Sequence, residues 1–167
     1  HENAERFMQA LSHARTEALH RLHAQLQADH DRLVPLSLAL QRDISAPRYL
    51  AARDRRRIVT QALATRPQFD AVQARVNSRH AQRSSLTQPL SKALELLRTL
   101  CADGEVIMRA RNTLFVEQEL QRWRPFFDHC EERPLTDEQA RAAIVFEENT
   151  LLVAAAGSGK TSTVVGK

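Results

Sequence analysis

Eight residues near the end of the sequence have the order of a phosphate-binding loop (Walker A motif), G-x-x-x-x-G-K-[ST], with alanine in place of the first glycine. Gly157 and Gly159 allow the backbone to approach phosphate oxygens with its N–H groups directed at them. Lys160 would then reach the β- and γ-phosphates, and the hydroxyl of Thr161 would bind Mg²⁺. The sequence therefore predicts a site for ATP and Mg²⁺ in which Lys160 is the catalytic residue. The predicted loop consists of Ala154, Ala155, Ala156, Gly157, Ser158, Gly159, Lys160 and Thr161.

The residues on both sides of this loop predict the elements that would position it. The apolar run TLLVAA (150–155) is short and lies between polar residues and Gly157, which is typical of a buried strand. The residues after Lys160 predict a helix, whose N-terminal partial charge favours an anion. We therefore expect a strand, a phosphate loop and a helix that begin a parallel α/β domain. Since one strand cannot form a sheet, that domain would be incomplete here.

Residues 1–133 predict one helix after another. Gly104 is the one glycine before Gly157, and prolines punctuate the sequence. The first helix is expected over about residues 3–33, and further helices are expected to begin near Ser45 and Pro67 and after a C-cap at Asp103–Gly104. Residues 87–89 either start a fourth helix or kink the third.

Leucines at 90, 94, 97 and 100 form an apolar stripe at helical spacing. Such narrow stripes favour long helices packed side by side, as a helix bundle or coiled-coil hairpin. We expect the aromatic side chains to lie in the core of that bundle. They are Phe7, Phe69, Phe115, Trp123, Phe126 and Phe127.

A second motif precedes the loop. Thr136 and Gln139 have the spacing of a capping box, which by itself accounts for Gln139 at the start of a short helix. The stretch LTDEQARAAI, followed by an apolar run and AAAGSGKTS, also resembles the opening of the superfamily 1 UvrD/Rep-like helicases. There a Q motif of the form L-[TN]-x-x-Q-x-x-A, matched here by Leu135, Thr136, Gln139 and Ala142, precedes the phosphate loop. Residues from about 106 onward also resemble the region before the core of DNA helicase IV-like proteins.

The resemblance implies different roles for different parts of the chain. It implies that residues 134–167 start a helicase ATP-binding (RecA-like) domain, that Gln139 binds the adenine edge, and that residues 1–133 form a helical accessory domain. It further implies that the full-length protein is an ATP-dependent DNA helicase acting on single-stranded or forked DNA. Because no Walker B motif or arginine finger follows the loop, and the chain begins with His1, we expect an excised N-terminal fragment that is inactive alone.

One alternative stays open, in which the helical body is a protein-interaction module attached to another P-loop NTPase. A third possibility is a self-associating coiled coil that tethers the core. Either alternative implies a protein partner for the helical domain.

Composition narrows the class of protein. The net charge is +4, and a basic stretch at Arg53 and Arg55–Arg57 is interpreted either as a solvated helix face or as a contact for DNA phosphates. No apolar run approaches the roughly 18 residues of a membrane span. Cys101 and Cys130 lie far apart with no secretory signal, which predicts reduced thiols and a cytoplasmic protein. His20 and His23 share a predicted helix face, but no nearby set of carboxylates and cysteines completes a metal site, so they are interpreted as solvated surface residues.

Overall fold

The computed structural model describes residues 2–130 and 133–147. These residues form five α-helices: α1 (Glu2–Ser45), α2 (Ala52–Leu63), α3 (Phe69–Val76), α4 (Thr87–Phe127) and α5 (Asp137–Ile144). Two 3₁₀ turns, Arg66–Gln68 and Ala81–Arg83, lie on either side of α3. The expectation of a mainly α protein is therefore confirmed for the described part of the chain. The helices fall into two compact units.

The first unit contains the chain up to Asp43 together with Ala62–Ala102. Its core is the predicted leucine stripe of α4 with apolar residues of α1 and α3, and residues 34–41 of α1 line one cavity with residues 88–93 of α4. Asp29 of α1 is buried and accepts hydrogen bonds from Arg75 of α3 at 2.7 Å and from Arg32 at 3.0 Å. The buried apolar residues are Leu26, Leu33, Leu40, Ala62, Phe69, Val72, Val76, Ala81, Leu90, Ala93, Leu94, Leu97 and Leu100.

The second unit contains Ile44–Gln61 and the described residues from Asp103 onward. The segment between α1 and α2 is held against α4 by two neighbouring side chains. Arg111 donates to the carbonyl groups of Ala46 and Arg48. Asn112 is buried and pairs with both backbone groups of Leu50. The predicted boundary between residues 133 and 134 is not tested by this division and stays a prediction.

Three predicted helix boundaries are wrong, and the burial of neighbouring side chains explains the two at Pro35 and Gly104. Helix α1 continues through Pro35 to Ser45 because Leu33 and Leu40, on either side of the proline, are both buried. Ser45 is the last residue of α1 and caps nothing, and α2 begins at Ala52. Helix α4 continues through Gly104, which is itself buried. The cost of a mid-helix glycine is about 1 kcal/mol, which the burial of neighbouring side chains on that face can offset.

The predicted fold class is wrong in its second half. In residues 2–130 and 133–147 every regular element is a helix, so the expected strand, loop and helix of a RecA-like start are not found there. Residues 145–147 follow α5 without regular structure, and a strand requires a neighbouring strand to pair its backbone groups. The predicted strand at 150–155 and the loop Ala154–Thr161 lie outside the described residues.

The expectation that the aromatic side chains lie in the core is right for Phe69 and Phe127 and wrong for three others. Phe7, Trp123 and Phe126 are 63%, 45% and 48% exposed. Residues 3–18 of α1 are all exposed, so Phe7 meets no core in the described part of the chain. Trp123 instead donates from its indole Nε1 to Glu119, one turn earlier in α4, at 2.7 Å.

Candidate functional site

Helix α5 carries the motif that precedes the predicted phosphate loop, and its start is closed by a capping box. The hydroxyl of Thr136 accepts a hydrogen bond from the Gln139 N–H at 3.3 Å. The Gln139 side-chain Oε1 accepts in return from the Thr136 N–H at 2.9 Å. This reciprocal pairing satisfies two backbone donors that a helix N-terminus otherwise leaves without partners. The capping role predicted for Gln139 is confirmed.

Gln139 is the one predicted nucleotide-binding residue that the structure describes. It is half-buried in the first turn of α5, and the capping box fixes the direction of its carboxamide. A carbonyl oxygen has two lone pairs, so an oxygen that caps a helix can also accept a second hydrogen bond. Capping and recognition of an adenine edge are thus chemically compatible at Gln139, and the adenine contact stays a prediction.

Packing seats α5 on the end of α4. Leu135, the first residue of the motif, is buried with Phe127, Ala140 and Ala143, and Cys130 packs against this cluster. The Leu135 N–H also donates to the Phe127 carbonyl at 3.0 Å. Leu135 of the motif and the neighbouring Ala140 and Ala143 therefore have a packing role, which fixes where the chain leaves α5.

Glu147 lies just before the predicted strand at 150–155, and three hydrogen-bond donors hold its carboxylate. Its Oε2 accepts from the Ala52 N–H at 2.7 Å. Its Oε1 accepts from the Tyr49 hydroxyl at 3.0 Å and from Arg55 Nη1 at 3.1 Å. Ala52 is the first residue of α2, so Glu147 caps a helix that lies far from it in sequence.

These contacts change the proton affinities of the groups involved. Burial by itself raises the pKa of Glu147, but the hydrogen bonds from Ala52, Arg55 and Tyr49 favour the carboxylate, and the net pKa of Glu147 is lowered. Burial and the neighbouring carboxylate together raise the pKa of Tyr49. Glu147 is thus a carboxylate, and Tyr49 a neutral phenol that donates to it, near neutral pH.

Beside this network lies an open cavity of about 400 Å³. Arg55 is 11% exposed there and also pairs with Glu105 at 3.3 Å. Arg141 of α5 lines the same cavity, and among the described ion pairs none involves its guanidinium. The lining is completed by Tyr49, Arg109, Asn112, Thr113, Val116 and Val145.

Two of the four arginines in the basic stretch of α2 form ion pairs within the described part of the structure. Arg57 forms an ion pair with Asp54, as does Arg48 in the preceding segment. Arg55 forms ion pairs with Glu105 and Glu147. Arg53 and Arg56 are exposed. For Arg55 and Arg57 this pairing favours the interpretation of a helix face balanced by neighbouring carboxylates over that of a DNA contact.

The other predicted site residues, Ala154–Thr161, lie outside the described residues. In the part that is described, no three His, Cys, Asp or Glu side chains are placed to hold a metal ion. The sequence singled out neither Glu147 nor Tyr49 and placed Arg55 only in the basic stretch, because nothing in the local sequence links positions almost a hundred residues apart.

Comparison with known proteins relates part of the chain to a DNA helicase. Over 65 residues, the chain is 38% identical to DNA helicase IV of Escherichia coli (strain K12). The matched segment is 39% of this chain and 10% of that helicase, so the chain spans only a small part of its relative's length. No family model matches the chain. No solved structure matches it either.

None of the helices in residues 2–130 and 133–147 has an apolar stretch as long as a bilayer crossing requires.

Proposed function

We propose that this chain is the N-terminal region of an ATP-dependent DNA helicase of the UvrD/Rep-like group. The observation that carries the proposal is the 38% identity to DNA helicase IV over 65 residues. The motif order supports it, because Gln139 is followed at a suitable distance by the G-S-G-K-T sequence of a phosphate loop. In this proposal the full-length protein acts on DNA in the cytoplasm.

The proposed nucleotide site is formed by residues of this chain. Ala154–Gly159 present backbone N–H groups to the phosphates, Lys160 neutralises charge on the β- and γ-phosphates, and Thr161 binds Mg²⁺. Gln139 contacts the adenine edge through its carboxamide, which can donate and accept at once. ATP supplies the phosphoryl group whose transfer to water drives movement. The 167 residues alone are expected to turn over no ATP, since the acidic motif and arginine fingers of such motors are missing from this sequence.

ATP hydrolysis by the natural gene product tests the proposal. We expect hydrolysis that single-stranded DNA stimulates and that Lys160→Ala lowers by at least about a hundredfold, as expected when a group stabilising transition-state charge is lost. Lys92→Ala, at an exposed lysine of α4, is the matched control and should leave the rate unchanged. Hydrolysis that survives Lys160→Ala, or turnover by the isolated 167 residues, contradicts the proposal.

A second function for the helical region is favoured by one observation. At the start of α1, Phe7, Met8 and Leu11 are 63%, 65% and 50% exposed. An exposed apolar face on a helix is typical of a protein-interaction surface. In the alternative proposal this module belongs to another P-loop NTPase. A D-E-x-x motif followed by helicase-type arginine motifs in the downstream gene sequence favours the helicase, and a different Walker B context favours the alternative.

A further inference from the structure

Glu147 joins two segments that are remote in sequence. It precedes the predicted loop at Ala154 by seven residues, whereas its three donors lie in residues 49–55. Both carboxylate oxygens are used, one by the Ala52 N–H and the other by Tyr49 and Arg55. We call Glu147, Tyr49, Ala52 and Arg55 the anchor.

Three features make the anchor a strong attachment. The Ala52 N–H begins α2, so it has no partner within its own helix and adds to the positive N-terminal end of the helix dipole. Arg55 is mostly buried and brings a full positive charge to the same carboxylate. Hydrogen bonds to an ionised acceptor are about twice as strong as those between neutral groups. The backbone at Glu147 is therefore fixed to the start of α2.

We propose that Glu147 is a positioning residue for the nucleotide site, fixing the chain that leads into Ala154–Thr161 against the start of α2. This inference rests on the proposed function of those residues. A loop whose entrance is already fixed loses less conformational freedom when it binds nucleotide, which increases affinity. In this proposal the anchor couples the helical region to nucleotide binding through the chain connection between Glu147 and Ala154.

Nucleotide affinity in the natural gene product tests the coupling. Glu147→Gln leaves one acceptor for three donors and removes the charge that pairs with Arg55. We expect the Kd for a fluorescent ATP analogue and the KM for ATP to rise by about five- to tenfold, a typical coupling free energy, while kcat stays within about twofold. Tyr49→Phe, which deletes only the 3.0 Å bond to Glu147, should have a smaller effect in the same direction.

Glu105→Gln is the matched control. Glu105 also pairs with Arg55, but no described contact joins it to Tyr49 or Ala52. Its loss should leave Kd and KM unchanged. Equal effects of Glu105→Gln and Glu147→Gln on nucleotide affinity, or no effect of Glu147→Gln in a protein whose far-ultraviolet circular dichroism is native, overturn the proposal.

A second measurement separates coupling from a merely structural role. Coupling between two sites is reciprocal, so bound nucleotide must stabilise the anchor. We expect hydrogen exchange in the peptide containing Ala52 to slow by about five- to tenfold when the ATP analogue binds, and to lose that response in Glu147→Gln. A hydrogen-exchange rate at Ala52 that is the same with and without the ATP analogue contradicts the proposal.

Lys160→Ala distinguishes failure of this inference from failure of the proposed function. If Lys160→Ala abolishes analogue binding while Glu147→Gln does not change it, the nucleotide site is real and the positioning role is wrong. If Lys160→Ala leaves binding intact, the proposed function itself is wrong, and the inference that rests on it is wrong as well.

Discussion

Asn112 gives a stability prediction that can be worked out from single contacts. Its Oδ1 accepts from the Leu50 N–H at 3.0 Å, and its Nδ2 donates to the Leu50 carbonyl at 2.8 Å. Leu50 is fully buried, so no water can replace this amide. The Leu50 carbonyl has a second donor in Arg55 Nη1, at 2.6 Å, whereas no other described hydrogen bond involves its N–H.

The loss of stability in Asn112→Ala follows from this difference between the Leu50 N–H, which has one described partner, and the Leu50 carbonyl, which has two. A buried N–H left without a partner costs about 1–3 kcal/mol, and loss of one of two hydrogen bonds at the carbonyl costs about 0.5–1.5 kcal/mol more. We therefore expect the free energy of unfolding to fall by about 2–4 kcal/mol. Asn112→Asp keeps the acceptor for the N–H but turns an oxygen toward the Leu50 carbonyl, so it should also destabilise the fold.

Urea unfolding followed by far-ultraviolet circular dichroism measures this loss. With a urea dependence of about 2 kcal/mol per molar, the midpoint should fall by roughly 1–2 M. Thr113→Ala is the control, because the exposed Thr113 hydroxyl donates only to Arg109 in its own helix, and its loss should change stability by less than about 0.5 kcal/mol. Asn112→Ala with the stability of the unmutated chain, or equal losses for Asn112 and Thr113, refutes this account of the Leu50 contacts.

Two further predictions concern charged groups. Arg75→Met should lower the free energy of unfolding by about 2–4 kcal/mol, because the buried Asp29 (4% exposed) would keep only Arg32 as a partner. Arg32→Met removes a half-exposed side chain and should lower the free energy of unfolding by less than about 1 kcal/mol. Equal losses in urea unfolding contradict this. In the folded protein the pKa of Glu147 is lowered from the ordinary value of 4.5. The ionised carboxylate therefore stabilises the folded protein above pH 4.5, and this stabilisation is lost as the pH falls through the lowered pKa. The free energy of unfolding should therefore depend less steeply on acid pH in Glu147→Gln than in the unmutated protein. Parallel plots of unfolding free energy against pH for the two proteins contradict this prediction.

Features coded by neighbouring residues were predictable from the sequence. The capping box of Thr136 and Gln139 needs only residues three positions apart, and the structure confirms it. The leucine stripe at 90, 94, 97 and 100 follows from helical periodicity, and all four residues are buried. In both cases the partners lie within a few turns of the chain, so the local pattern already contains the physical cause.

Features decided by distant packing were not predictable in the same way. Pro35 and Gly104 are unfavourable inside a helix by about 3 and 1 kcal/mol, and a local rule therefore ends the helix at each. Such a rule leaves out the free energy gained by burying apolar side chains on both sides, such as Leu33 and Leu40, which is lost if the helix ends there. The predicted phosphate loop depends on motif order alone and stays a prediction.

The start of α2 shows why the anchor escaped sequence analysis. Capping preferences place a helix start after Ser45, since serine is a good cap and proline follows two residues later. The cap that α2 uses is the carboxylate of Glu147, which reaches Ala52 across 95 positions of sequence. No local preference selects a donor–acceptor pair at that separation, because tertiary packing brings the two groups together. The error in one helix boundary and the missed positioning residue therefore have the same cause.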